Sequence, residues 1–148
     1  GPAADYATLV KSDLAKIGLT VDLNVMSQDA FYGSGSNQPW LEVPFGIVDW
    51  ASRAIPEEYL DPVLKTGGVW NSPHYSNPAL DKLLARFNAA TDHATRQSLV
   101  NQIAEITWTD VPVIVAYWDG GQRPVLDTLR GVQASASSYL DLSSAWLT

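Results

Sequence analysis

YSNPALDKLLARFNAATDHATRQSLVNQIAEITWTDVPVIVAYW, Tyr75 to Trp118, carries the strongest patterning in the chain. Asn77-Pro78 is a helix-start pair: an Asn side chain can cap the orphan amides, and Pro fits the first helical position. Leu80, Leu83, Leu84 and Phe87 then recur at three- and four-residue steps, the buried face of one helix. Thr91-Asp92 opens a second helix, running to about Thr107, with Leu99, Ile103 and Ile106 inward. Trp108 beside that stripe reads as core. Val111 to Tyr117 is apolar throughout, as expected of a strand covered on both faces.

Upstream, Ala3, Ala7, Val10, Leu14 and Ile17 mark one face of an amphipathic helix. Gly18 follows as its stop, and Leu19 to Val25 alternates apolar and polar as a half-buried strand does. Ser27 can cap a short helix through Phe31. Gly33 to Asn37 is a glycine-rich loop without the Lys and following helix that a phosphate cradle needs. Val43 to Val48 reads as a strand, with Pro44 near its start, and it delivers Trp50 at its C-terminal end. Pro56 to Leu64 reads as a helix with Glu57 and Glu58 in its first turn, where the helix dipole favours them. Thr66 to Ser76 is an irregular loop carrying Trp70, Asn71, His74 and Tyr75. Beyond Gly120-Gly121 the sequence becomes Ser-rich, with short strands near Val132-Gln133 and Ala145 to Leu147. A boundary is expected between Tyr117 and Gly121.

Composition narrows the functions. The formal net charge of -7 repels phosphate backbones, so nucleic acid is a poor partner. There is no Cys, which removes disulfides, thiolate metal sites and Cys nucleophiles together. Gly1-Pro2 opens the chain without Met and reads as a protease scar on a trimmed piece. His93 has no carboxylate partner at metal spacing, and no nucleophile elbow, zinc-protease, EF-hand or dinucleotide motif occurs. No catalytic residue, no metal and no cofactor is therefore expected, and the chain does not read as an enzyme. What remains is aromatic. Trp50 and Trp70 sit at a strand end and in a loop, where α/β proteins place ligand crevices. His74 shares the Trp70 loop and either touches a ligand or braces the loop. Trp118 and Trp146 suit either core or surface.

The Tyr75–Trp118 segment resembles the solute-binding proteins of peptide- and nickel-type ABC importers. That family carries a Y-x-N-P-x-x-D-x-L-L helix start, a D-x-x-x-R helix opening and a D-x-P-x-I strand. Here these are Tyr75, Asn77, Pro78, Asp81, Leu83 and Leu84, then Asp92 and Arg96, then Asp110, Pro112 and Ile114. The opening DYATLVKSDLAKIGLTVDLNV, Asp5 to Val25, resembles the family's helix-Gly-strand unit, so the likeness runs along nearly the whole chain.

The resemblance implies an α/β fold: a C-terminal lobe fragment of a periplasmic-binding-protein type II-like fold, a mixed sheet flanked by helices. Residues 3–116 would belong to the second ligand-binding lobe. Residues 117–148 would cross the hinge back toward the first lobe, which would come from elsewhere in the same protein. The implied partners are a small solute held between two lobes and an ABC permease in the membrane. The implied location is periplasmic or extracellular, with a lipid anchor an option. The alternative is a sensor or interaction module that reuses the lobe inside a regulator. Candidate ligand-binding residues are Trp50, Ser52, Arg53, Trp70, Asn71 and His74. In the peptide-binding members an Asp follows the strand-end Trp by three residues and holds the ligand's ammonium group. Position 53 is Arg here, which repels an ammonium and attracts a carboxylate, phosphate or sugar hydroxyl. The other reading pairs Arg53 with Glu57 or Glu58 and leaves it without a ligand role.

Overall fold

The computed structural model describes residues 2–118, 125–134 and 140–148. It resolves into two compact units, Gly1–Trp50 and Ala51–Thr148.

The first unit opens with α1, Pro2–Lys16. Its end is set by Gly18 at φ +84, a left-handed value that a side chain disfavours. The Gly18 amide donates to the Ala15 carbonyl (3.1 Å) and the Leu19 amide to that of Leu14 (3.0 Å). This double closure satisfies two carbonyls that would otherwise be orphaned. The α1 face is only half-buried, and Ile17 at its end is exposed. Helix α2, Gln28–Tyr32, is capped by Ser27, whose Oγ accepts from the Ala30 amide at 3.3 Å. A single 3-10 turn, Pro39–Leu41, packs beside it and buries Trp40.

The second unit is built on α3 (Glu57–Leu64), α4 (Pro78–Ala89) and α5 (His93–Asp110). Its core is the interlock of Val63 and Leu64 from α3, Leu80, Leu84 and Phe87 from α4, and Leu99 and Ile103 from α5. These are the positions that three- and four-residue spacing brings to one face. Both longer helices start where the sequence says they must. Asn77 Oδ1 accepts from the Ala79 and Leu80 amides at 2.9 and 3.2 Å, and Asp92 Oδ1 accepts from Thr95 at 2.8 Å. Pro62 lies inside α3, where its missing N–H cannot serve the Glu58 carbonyl one turn back.

The short strands expected near Val132-Gln133 and Ala145 to Leu147 are present, but the rest of the sheet structure departs from expectation. Two antiparallel ladders form, each two residues per strand: β1 (Leu129–Arg130) with β4 (Trp146–Leu147), and β2 (Gln133–Ala134) with β3 (Leu140–Asp141). Leu129 faces Leu147 and Gln133 faces Asp141 in these registers. The segments 19–25, 43–48 and 111–117, expected as strands, join no ladder among the described residues. A mixed sheet flanked by helices is thus not formed among those residues, and mixed helix with small sheets is what the chain shows. The physical reason is that alternation fixes which face a strand would bury, whereas a strand exists only when a neighbour takes its amides and carbonyls. The expected boundary between Tyr117 and Gly121 lies largely on residues outside the described ones. Trp108, expected in the core, is 86% exposed. It sits five residues after Ile103, about 500° of helical turn, which carries it off the buried stripe.

Candidate ligand-binding site

Trp50 closes the first unit, at the end of a line of aromatic rings. Phe31 meets Tyr32 edge-on with centroids 5.3 Å apart, Tyr32 meets Trp40 at 5.7 Å, and Trp40 meets Trp50 at 6.4 Å. Such tilted pairs place the positive ring edge against a negative ring face. The Asp49 amide donates to Tyr32 Oη at 3.2 Å, which ties the chain just before Trp50 to α2. Trp50 is left half-buried, with its support on the buried Trp40. Sequence reasoning singled out Trp50 and missed Tyr32 and Trp40. The available signal was the run of large rings at 31, 32, 40 and 50 in a unit with few other core candidates.

Ser52 and Arg53 begin the second unit, in exposed backbone with no regular structure. The guanidinium of Arg53 has no hydrogen bond or ion pair among the described residues. The local pairing with Glu57 does not form, because Glu57 Oε1 accepts from Arg96 Nη2 instead. That bond and the Arg96 charge hold the Glu57 carboxyl below its usual value, against a burial effect of opposite sign that is the largest single contribution.

Trp70, Asn71 and His74 lie in the loop between α3 and α4. Gly68 lets this loop approach α3, since a Cβ there would lie 2.4 Å from the Pro62 carbonyl oxygen. The same carbonyl accepts from the Trp70 amide at 2.8 Å. Asn71 is the staple. Its Nδ2 donates to the Tyr75 carbonyl at 2.8 Å and the Lys65 carbonyl at 3.3 Å, and its Oδ1 accepts from the Tyr75 amide at 2.9 Å. His74 takes φ +50 in the turn so closed, its amide donating to the Asn71 carbonyl, and its side chain is exposed. Trp70 is 37% exposed.

The residues that carry the family likeness form the frame of this unit. Asp110, at the end of α5, accepts from Tyr75 Oη and, at 2.8 Å, from Asn77 Nδ2. Asp81 Oδ1 accepts from the Thr66 amide at 3.0 Å, fixing the other end of the loop. Arg96 spans three parts: its Nη1 donates to the Phe87 and Ala90 carbonyls at 3.0 and 3.3 Å, its Nη2 bonds Glu57, and its guanidinium lies 4.0 Å from the Phe87 ring centroid. Tyr75, Asn77, Asp81, Asp92, Arg96 and Asp110 are therefore occupied in holding helices and loop together.

These frame carboxylates set an acid limit. Hydrogen bonds from Tyr75 and then Asn77 depress the Asp110 carboxyl, and the Thr95 backbone and side chain depress Asp92. Burial and the Asp110 bond raise the Tyr75 phenol, the matching effect on the donor. A depressed carboxyl stabilises the fold above its unfolded pKa and loses that stabilisation as pH falls through its folded value. Thermal unfolding is expected to hold steady down to about pH 4 and to drop below it. Asp110→Asn should lower the melting temperature at pH 7 and flatten the drop below pH 4. An unchanged acid limb in that variant would remove Asp110 from the account.

Among the described residues no group of three or more His, Asp or Glu side chains is placed to hold a metal, and no helix is long and apolar enough to cross a membrane. No family model matches the chain. The chain is similar to the dipeptide-binding protein DppE of Bacillus subtilis (strain 168), at 26% identity over 99 residues, 64% of this chain. The matched region spans 18% of that protein's length, so the chain is a distant relative of one part of a peptide-binding protein.

Proposed function

We propose that this chain is part of the solute-binding component of an ABC importer, one that captures a small peptide-like solute outside the cytoplasmic membrane and delivers it to a permease. The observation that supports this most is the joint one: motif residues from Tyr75 to Asp110 are engaged in the bonds that cap and tie the helices and loop of the second unit, and the chain is distantly similar to a dipeptide-binding protein. Binding would need no covalent step. Two lobes would close on the solute and shift an open–closed equilibrium, with residues 117–148 carrying the hinge crossing.

Trp50 would supply a flat apolar surface, and Arg53 a fixed positive charge for an anionic or hydroxyl-rich group of the solute. Ser52, Trp70 and His74 would add contacts, and Asn71 would act by holding the loop that carries Trp70 and His74. The Arg53 guanidinium suits this role because no acid among the described residues has claimed it. The ligand would thus differ from one recognised by its ammonium group alone. In the intact protein, calorimetry with the probes Ala-Ala and Ala-Glu should show Arg53→Ala weakening Ala-Glu by about 10- to 100-fold, the worth of a charge-assisted bond. The melting temperature should stay within a few degrees. Equal losses for both dipeptides, or a loss of folding matching the loss of binding, would reject the ligand role of Arg53.

A further inference from the structure

We infer that the Arg53–Ala54 peptide bond is a processing site, the place where a serine protease with a trypsin-like preference for basic side chains opens the folded chain. The inference needs only the backbone around that bond and stands apart from any ligand role of Arg53. A protease of this class binds its substrate as an extended strand and takes up that strand's amides and carbonyls. Exposed, unbonded chain can enter such a cleft; helices and ladders cannot. Ala51 to Pro56 are all exposed, three residues on each side of the bond. From Ala51 to Ala54 no amide or carbonyl makes a hydrogen bond among the described residues. The first bond downstream runs from the Glu58 amide to the Ile55 carbonyl, at 3.3 Å, where α3 begins. Ser52 and Ala54 flank Arg53, so no bulky side chain crowds the reacting carbonyl.

The other basic residues are held. Lys11, Lys82, Arg86 and Arg96 lie inside helices, whose backbone must open before a protease can grip it. Lys16 ends α1, and the amide just after it, that of Ile17, donates to the Leu14 carbonyl at 3.1 Å. The Lys65 carbonyl accepts from the Gly68 amide at 2.9 Å, and the Thr66 amide beyond it is held by Asp81. Arg130 pairs with Trp146 across the β1–β4 ladder. The chain that follows is pressed on its neighbour, since a Cβ at Gly131 would lie 2.0 Å from the Ser144 carbonyl oxygen. Arg123 is followed by Pro124, whose ring and missing N–H bar the bond between them from this class of active site. Among the described residues, Arg53 is therefore the basic residue whose following bond is both exposed and unbonded.

Cleavage consumes one water. The carbon–nitrogen bond between Arg53 and Ala54 breaks, the hydroxyl goes to the Arg53 carbonyl carbon and the proton to the Ala54 nitrogen. One product carries Trp50 and Arg53 and the other Trp70, Asn71 and His74, so the cut divides the candidate ligand contacts between two polypeptides. Brief digestion of the 148-residue chain with trypsin, read by intact-mass spectrometry, should give residues 1–53 and 54–148 as first products. That cut should run about 100-fold faster than the next, because chain held in helices waits for local opening. Arg53→Gln should slow the first cut by a similar factor, and Arg53→Lys should preserve it. In unfolding concentrations of urea the preference for Arg53 should vanish. A first cut at another Lys or Arg would overturn the inference, as would an Arg53→Gln chain cut as fast as the unsubstituted one. So would a native chain that resists trypsin until it unfolds, or a preference for Arg53 that persists in urea and so owes nothing to the fold.

Discussion

Phe87→Ala should cost the helical unit about 4 kcal/mol, the largest loss expected from any single substitution in this chain. Phe87 is 1% exposed, belongs to the buried set that α4 and α5 supply, and carries the Arg96 guanidinium of α5 on its ring. Truncation removes the ring's transfer energy and opens a void that neighbours on three helices cannot all close. It also removes the face on which the Arg96 guanidinium rests, a further loss of about 0.5–1 kcal/mol. In a domain of this size the sum corresponds to a fall of about 20 °C in melting temperature. Phe87→Leu keeps most of the volume and should cost about 1–2 kcal/mol. Urea titrations at pH 7 measure both. A loss near 1 kcal/mol for the alanine variant would mean that the α4–α5 seam is not the core.

Arg96→Ala follows at about 3 kcal/mol, and its route is different. The guanidinium gives the Ala90 carbonyl, just past α4, a donor at 3.3 Å, and adds a second donor to the Phe87 carbonyl, which the Ala90 amide also serves at 3.3 Å. It also neutralises Glu57, whose other oxygen is buried without a partner. Removing it strands that carboxylate and the Ala90 carbonyl, and leaves the Phe87 carbonyl with only a long bond from the Ala90 amide. Arg96→Lys should recover less than half of the loss, because an ammonium cannot reach both directions of a planar fork. The Glu57 and Arg96 side chains are 21% and 28% exposed, so solvent screens the pair. A double-mutant cycle with Glu57→Gln should therefore return only about 1 kcal/mol of coupling, leaving most of the effect with the carbonyls. Coupling that accounts for the whole loss would reverse this division.

The helical frame was legible in the sequence, as were the short strands near Val132-Gln133 and Ala145 to Leu147, whereas the three longer expected strands were not formed among the described residues. The Asn77-Pro78 and Asp92 starts, the Leu80–Leu84–Phe87 stripe and the Gly18 stop rest on contacts within a few residues, and each stands where its local chemistry puts it. Leu19 to Val25, Val43 to Val48 and Val111 to Tyr117 have strand composition, but pairing depends on chain far away in sequence. Side-chain partners followed the same division. Glu57 had nearby Arg53 as a plausible mate and chose Arg96, 39 residues on, because α3 and the end of α4 bring Arg96 within reach. Trp50 was recognisable as an aromatic at a segment end, whereas its support on Trp40 and Tyr32 came from packing. Periodicity and caps are written in neighbouring residues and determined the helices; the ion pairs, ring contacts and strand pairings required distant residues to meet, which only the tertiary structure decides.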